Sequence, residues 1–514
     1  MEWPVARLLP LLVIIPLAGA FLTPVAALLK AGRFCAVIAL ATTAVLLALS
    51  AATFAGPPVA VAWIGGWVGT SDPGSVTGIA MVCDGFTRLM LMIVSVVAFF
   101  ATLFSMSYMR RYERVGLYYA LILLMIAGMN GVILSGDLFN IYVFLEVAAV
   151  ASYGLVGYGV ESEELEASFK YLVLSAIASA FILLGIGVVY NLTGTLNLAQ
   201  VAGAVRTLGE NNALWVATGL FIAGFGLKAA MVPFHAWLPD AHPSAPAPVS
   251  AMLSGVLIKA TGVYVLARLV FNVLGATGAS GTLLITLGMA SMLVGVLLAV
   301  EQWDLKRLLA YHSISQMGYV VLALGIGVEA HVKGAYAVAA LAVFGGLFHM
   351  MNHALFKSLL FLCSGSVVYG TGTRDLHKLG GMGVKMPLTS MCTRIASLSI
   401  SGVPPFNGFF SKLIITIAVV WAGHPILGLL TVLVSFVTLL SFTKVQRYVI
   451  HGSVPKRLSE VRESPVLMGI SLAALAVMCL GAGLLLPVYK GTILDPARDA
   501  LLNGLGYVTS VFGG

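Results

Sequence analysis

The sequence predicts an all-α polytopic membrane protein with about 14 transmembrane helices, and three observations predict it. The chain is 60% hydrophobic and 9% charged over 514 residues, whereas a soluble domain carries about 25% charged residues. Its apolar runs recur at the length a helix needs to cross a bilayer, about 20 residues, with no long polar stretch between them. Its 56 glycines suit close helix packing in lipid. A soluble catalytic domain is excluded. The net charge of +8 is no nucleic-acid footprint, because its distribution follows the rule that orients membrane helices.

Apolar runs place helices near 6–29, 33–54, 80–107, 117–135, 138–159, 168–191, 213–230, 249–273, 281–300, 307–328, 335–369, 387–423, 425–447 and 465–488. The first begins in MEWPVARLLPLLVIIPLAGAFL, which could pass for a signal peptide. It lacks an A-x-A-like cleavage site followed by a polar region, so it reads as the first span. Two helices are abnormal. The seventh runs into MVPFHAWLPDAHPSAPAP, broken at Pro233, and the twelfth contains SGVPPFNGFF, broken at Pro404 and Pro405. The cysteines Cys35, Cys83, Cys363, Cys392 and Cys479 are scattered, with no metal spacing and no disulfide framework.

With the N-terminus outside a cell (inner) membrane and strict alternation, the inside loops hold most of the basic residues. These are Lys30 and Arg33; Arg110, Arg111 and Arg114; Lys170; Lys306 and Arg307; Arg374, Lys378 and Lys385; and Lys444, Arg447, Lys456, Arg457 and Arg462. The outside loops hold Arg206, Lys333, Lys490 and Arg498. That asymmetry predicts an outside N-terminus and an even number of spans. The acidic run at 161–166 falls inside, but acidic residues count little in the rule. The two breaks lie five spans apart, so the broken helices cross in opposite directions. Broken helices at matching places in two inverted halves point to an ion pathway. The repeat rests on spacing and breaks, since the halves share no clear residue-level identity.

A charge at the bilayer centre costs roughly 2.5–3.5 kcal/mol, so four would cost on the order of 10 kcal/mol. Glu146 lies well inside the fifth run, Lys228 just before the first break, Lys259 mid-span in the eighth run, and Lys412 just after the second break. In the eleventh run His349, His353 and Lys357 are spaced by four, which puts them on one helix face. His312 enters the tenth run. Together these read as a proton wire. Burial shifts lysine titration towards physiological pH and a nearby carboxylate opposes that shift. Histidine relays near neutrality. Helix breaks free carbonyls and admit water.

Each residue has a plainer reading. Lys259 could snorkel to an interface, Glu146 could brace a neighbouring helix, and His312 could be packing alone. His349 and His353 could be a zinc pair, but no third ligand and no HExxH glutamate is evident. His235, Asp240 and His242 would cap and order the loop after the first break. Arg268, late in the eighth run, would snorkel outward. There is no P-loop and nothing like a flavin, haem or iron–sulfur site. No cofactor, metal or catalytic site of the chain's own is expected.

These residues carry a resemblance. The segment GLKAAMVPFHAWLPDAHPSAPAPVSAMLSGVLIKATGVYVLARL (226–269) resembles the antiporter-like subunits shared by respiratory complex I, Mrp-type sodium/proton antiporters, and membrane-bound hydrogenases and formate hydrogenlyases. LFNIYVFLEVAAVASYGLVGY (138–158), DLKRLLAYHSISQMGYV (304–320), HALFKSLLFLCSGSV (353–367) and GVPPFNGFFSK (402–412) support it. The resemblance covers about 80 to 450.

It implies two inverted five-helix units, helices four to eight and nine to thirteen. The domains would then be 1–114, 115–273, 274–450 and 451–514, the last a loop, helix fourteen and a short tail. It also implies a hydrated polar axis, with Glu146 at the fifth-helix glutamate, Lys228 and Lys259 at the seventh- and eighth-helix lysines, His353 with Lys357 on the eleventh helix, and Lys412 at the twelfth-helix charged position. Lysine at 412 and the chain's end soon after the fourteenth helix look most like the Mrp-type D subunit. His312 stands where a small hydroxyl residue is usual.

The expected function is proton translocation as a subunit of a complex I-related or Mrp-type assembly. Its partners would be other membrane subunits, protons, and the lipid bilayer, with sodium left open as a second ion and no nucleic acid. A sodium/proton antiporter module without redox coupling and a non-pumping scaffold are the alternatives.

Overall fold

The computed structural model describes residues 5–29, 32–65, 67–68, 70–72, 75, 78–209 and 211–512. Lys30, used in the orientation argument, lies outside the described residues. The fold is all-α and polytopic. Among the described residues twelve helices are long and apolar enough to cross a membrane, and two shorter apolar helices, Asn212–Lys228 and Asn407–Trp421, take the seventh and twelfth places in chain order. The predicted runs are therefore present as helices, with two of them cut short.

Polar residues set the helix starts. Asp84, Asp137 and Asp304 accept from Thr87 N, Asn140 N and Arg307 N at 2.9, 2.8 and 2.9 Å, at the starts of the third, fifth and tenth helices. A carboxylate at a helix N-terminus satisfies an orphan N–H and complements the macrodipole.

Several boundaries are corrected. Residues 80–83 are not helix. They belong to β2 (Ile79–Cys83), which pairs antiparallel with β1 (Ala60–Ile64), Ala60 opposite Cys83. Ile79 and Val82 are β-branched and favour the extended, paired chain, and the helix waits for the Asp84 cap. The run at 387–423 is two half-helices, Pro387–Ser401 and Asn407–Trp421. The loop holding Asp240 and His242 is a short helix, Leu238–Ser244. The eighth helix spans 247–273 with wide π turns over Leu253–Leu257, Lys259–Val263 and Leu269–Val273. An extra helix, Leu198–Leu208, precedes the seventh, and Gln200 on it donates to Thr70 O and Asp72 O at 2.9 and 2.8 Å.

Alternate helix connections gather on one face. Arg374, between the eleventh and twelfth helices, contacts Glu163 at 3.4 Å, Pro243 O at 2.9 Å and Asp304. Lys170 reaches Asp240 at 3.2 Å there. The other face carries the β-hairpin and the tail. That tail is folded rather than a loose end. Helix Asp495–Leu502 lies so close that a Cβ on Gly85 would stand 2.3 Å from the Pro496 carbonyl carbon.

Arg268 does not snorkel. It is 3% exposed and pairs with Asp84 through both carboxylate oxygens, at 2.7 and 2.8 Å. Asn272, one turn on, donates to Ala500 O and Gly504 O, each at 3.0 Å, and so ties down the tail. Burial pushes the Asp84 carboxyl up, but the Arg268 guanidinium outweighs it and holds the group below the usual carboxylate range.

Replacing Arg268 strands Asp84 in an apolar interior, at a cost of about 3–5 kcal/mol. Arg268→Ala should lower the melting temperature in detergent and expose the 495–512 tail to protease. Replacing Arg268 and Asp84 together with apolar residues should recover most of that loss.

Candidate functional site

The two broken helices end their first halves in the same way. After Lys228, Ala230 N donates to Leu227 O at 3.0 Å and Met231 N to Gly226 O at 2.9 Å, with Ala230 left-handed (φ 54°). In the twelfth helix Gly402 N donates to Ser399 O and Val403 N to Leu398 O, each at 3.1 Å, with Gly402 left-handed (φ 76°). Both are Schellman closures. The next turn also matches: Phe234 N reaches Met231 O at 2.6 Å, and Phe406 N reaches Val403 O at 3.1 Å. Cis peptides precede Pro233 and Pro405. Neither turn is visible in one-letter identity, because Ala-Met-Val-Pro-Phe and Gly-Val-Pro-Pro-Phe share only the last two residues.

At the first break Lys228, 5% exposed, donates to Ser175 Oγ at 2.6 Å, and its Nζ stands 3.6 Å from Glu146 Oε1. Ser179, one turn from Ser175 on the sixth helix, donates to the same Glu146 oxygen. The break is braced by Trp237, whose Nε1 donates to Leu227 O at 3.0 Å and whose ring stacks on Tyr171 at 4.1 Å. The Glu146 side chain is 33% exposed on a fifth-helix face that also exposes Phe139, Val143 and Val150.

Lys259 does not reach an interface. It is fully buried, and its ammonium donates to Ser254 O at 2.8 Å and Gly255 O at 2.6 Å in the first wide turn of its own helix. Ser254 Oγ meets Ser313 Oγ at 2.7 Å, and Ser313 donates to Leu309 O at 3.1 Å. Lys357, fully buried on the eleventh helix, donates to that same Leu309 carbonyl. A hydroxyl pair and two carbonyls thus link Lys259 to Lys357 across three helices.

Beyond them His353 is within coulombic reach of Lys259, Lys357, His349 and Lys412. It is fully buried, and among the described residues neither ring nitrogen has a partner. His349 holds Ser411 Oγ through Nδ1 at 2.9 Å, and its Nε2 is unpartnered. Asn352, between them in sequence, donates to Asn407 O and accepts from Asn407 Nδ2, both at 3.1 Å, which fixes the eleventh helix to the restart of the twelfth. Lys412 reaches back across the second break to Ile400 O at 2.7 Å and lies 4.9 Å from the centre of the Tyr319 ring. Ile400 sits in the last turn of its half-helix, where carbonyls lack intrahelical donors and the macrodipole favours a cation.

The arrangement brings Glu146 to Lys228, and Lys259, Lys357, His353, His349 and Lys412 into one buried group. His312 lies to one side, fully buried, with Nε2 on Ser441 Oγ at 2.8 Å and the Phe442 ring at 4.8 Å. Lys306 is not a loop charge. It is 4% exposed and donates to Ala245 O at 2.6 Å, near the fully buried His242.

Sequence reasoning missed Ser175 and Ser179, whose spacing of four on the helix beside Glu146 was available. It also missed Asn352, Asn407, Tyr319 and Gln316. Gln316, one turn beyond His312, is fully buried with both amide atoms unpartnered. Buried polar atoms without protein partners are where ordered water belongs. Chemically, the arrangement offers amines, imidazoles and hydroxyls that can take up and pass on protons, within a membrane interior that otherwise excludes water.

The family model described as NADH:quinone oxidoreductase/Mrp antiporter, transmembrane region, matches residues 135–440, and the chain belongs to that family. It is 35% identical over 378 residues to the D subunit of the Na(+)/H(+) antiporter of Alkalihalophilus pseudofirmus, covering 73% of this chain and 74% of that one. It is 36% identical over 373 residues to the N subunit of the NADH-quinone oxidoreductase of Desulforudis audaxviator, covering 72% of each. A chain in the structure of the Mrp complex from Dietzia sp. superposes with a TM-score of 0.87 at 28% identity, over 99% of both chains.

Two variants test this geometry. A Cβ at Gly408 would sit 1.8 Å from Ser399 O, so Gly408→Ala should force the two half-helices apart, lower the melting temperature and lower the yield of folded protein. Lys259 holds only neutral oxygens, so Lys259→Met strands no buried charge and should leave the melting temperature unchanged or raise it.

Proposed function

We propose that this chain translocates protons across a cell membrane as an antiporter-like subunit of a larger membrane complex. One observation carries the reading. Lys259, Lys357 and Lys412 are buried, and the hydrogen bonds of their ammonium groups go to backbone carbonyls. Unpaired ammonium groups at this depth are expensive, and membrane chains keep them where ions move. In low-dielectric surroundings the neutral amine is the cheaper form unless an anion stands near. Lysines of this kind can hold a proton or yield it according to the charge beside them.

The row starts at the Glu146–Lys228 pair. A partly exposed carboxylate on an apolar helix face is poorly placed against lipid, which favours a partner subunit there that brings a polar or cationic group to Glu146. Drawing Glu146 away from Lys228 removes the counter-charge and frees the lysine's proton towards Lys259. The proton then passes over the Ser254–Ser313 bridge, Lys357, His353 and His349 to Lys412. His242 and Lys306 supply protons from the face that carries most of the basic loops. By the basic-residue asymmetry that face is the inside of the cell, and the N-terminus is outside.

The matched closures at Ala230 and Gly402 support two inverted units, helices four to eight and nine to thirteen, within the divisions 115–273 and 274–450. His312, off the main line, adjusts the field at Lys357 and Lys412. Moving one charge against 100 mV costs about 2.3 kcal/mol. The sequence has no nucleotide-binding loop, so the energy comes from a partner's redox reaction or from a second ion gradient. The two relatives, one named for sodium/proton antiport and one for quinone reduction, illustrate those two sources.

Lys228→Ala should abolish proton translocation by the assembled complex while leaving assembly intact. The measurement is dye-reported pH change in liposomes containing the purified complex, with the co-purifying subunits identified in the same preparation. Translocation by the variant at the wild-type rate refutes the reading.

A further inference from the structure

Beyond Lys412 the tenth, twelfth and thirteenth helices continue towards the face that holds the β-hairpin. Together with Met289, Met292 and Val296 of the ninth helix, they form a second apolar cluster, separate from the main core, that includes Leu322 and Ile326 from the tenth helix, Ile415 and Val419 from the twelfth, and Val434 from the thirteenth. Tyr319 belongs to the cluster at the level of Lys412. Its hydroxyl donates to Thr431 O and meets Ser435 Oγ at 3.0 Å, and Thr416 meets Thr431 at 2.7 Å between hydroxyl oxygens.

Past the far end stands an ion pair that the row described above does not use. Glu329 Oε2 lies 2.9 Å from His424 Nε2, and Lys333 bonds the other carboxylate oxygen. The charged groups acting on Glu329 are Lys333 on its own helix and His424 from the connection between the twelfth and thirteenth helices. The Glu329 side chain is 15% exposed and that of His424 31%, so the carboxylate faces inward and the imidazole reaches the edge. The ten residues from Tyr319 to Glu329 span about 15 Å of helix. Tyr319, Leu322, Ile326 and Glu329 follow one another along a single face, as do Lys412, Ile415 and Val419.

We propose that Glu329 and His424 form the outer proton-transfer site of the chain, separated from Lys412 by an apolar collar that must take up water for a proton to pass. This rests on the proton-translocation reading above. When the collar is wet, Lys412 Nζ gives up a proton and becomes a neutral amine, and the Glu329 carboxylate accepts it through the intervening water. Glu329 passes the proton to Nε2 of a neutral His424 that carries its hydrogen on Nδ1, the imidazolium releases the Nδ1 proton to bulk water, and the ring returns to the starting tautomer by exchange with water. Each transfer conserves the proton, and no other reactant is consumed. When the collar is dry, Lys412 is cut off from the outer side, which is what a pump requires while its inner side is loading. A glutamate this near the C-terminal end of the tenth helix opposes the macrodipole, an arrangement that helix stability alone does not favour.

The test uses the intact complex in liposomes with controlled pH on each side. Glu329→Gln and His424→Gln should each slow proton translocation at least fivefold and alter its dependence on outer pH, while the dependence on inner pH is kept. Glu329→Asp should restore most of the rate, and Val419→Asn, which wets the collar, should add a passive proton leak. A purely structural ion pair would lower assembly yield without touching the outer pH profile. Lys412→Met serves as the reference in the same preparation. If Lys412→Met is inactive while both Glu329→Gln and His424→Gln keep the wild-type rate and outer pH profile, the outer site is refuted and the translocation reading stands. If Lys412→Met itself translocates at the full rate, the translocation reading fails and this inference with it.

Discussion

An ammonium group without a counter-ion, held by backbone carbonyls inside a membrane, is the constraint around which this fold is arranged. Carbonyls in an unbroken α-helix are engaged by their own ladder and have little to offer a cation. The chain makes them available to Lys412 and Lys259 in two ways, whereas Lys357 shares Leu309 O with the unbroken ladder of the tenth helix. A half-helix ends at 401 and presents Ile400 O to Lys412, and wide turns in the eighth helix present Ser254 O and Gly255 O to Lys259. The prolines, the left-handed residues at 230 and 402 and the glycine contact at 408 all serve to end one half-helix and start the next without leaving polar groups stranded.

The contrast with Asp84 and Arg268 shows what a stabilising charge looks like in the same protein. That pair is bidentate, ringed by further polar groups and placed where the tail docks. Its geometry fixes both partners. The lysines of the central row lack such an anion, and at the one place where an anion is present, Glu146, its side chain is a third exposed and open to outside influence. A structural charge is locked by its partner, and a transferable one is left with partners that tolerate either protonation state. The second apolar cluster lies beside Lys412, and the Glu329–His424 contact stands near the end of the tenth helix beyond it.

Much of this was legible in the sequence. Apolar length located the helices, because bilayer thickness imposes a period that composition cannot hide. Proline and glycine located both breaks, and the depth of Glu146, Lys228, Lys259 and Lys412 within apolar runs singled them out. What was illegible depends on tertiary contacts. Nothing local says that Arg268 meets Asp84, 184 residues away, so it read as a snorkelling side chain. Lys306 sits beside Arg307 and Asp304, and only the short helix at 238–244 folding over it makes it a buried residue. Segment 79–83 is as apolar as a helix end, and its partner strand lies about 20 residues back across a loop. Helix 198–208 is too short and too polar for a hydropathy reading tuned to spans. Glu329 and His424 are 95 residues apart, and only the fold puts them together.

The buried row can pass protons only if it is wet. The most direct measurement is an experimental structure of the assembled complex in lipid at a resolution that shows ordered water. Such a structure should show waters bonded to the unpartnered nitrogens of His353, to His349 Nε2 and to the Gln316 amide, joining the lysines into a continuous chain. Closed apolar packing around those atoms, with no water between Lys357 and Lys412, would contradict it.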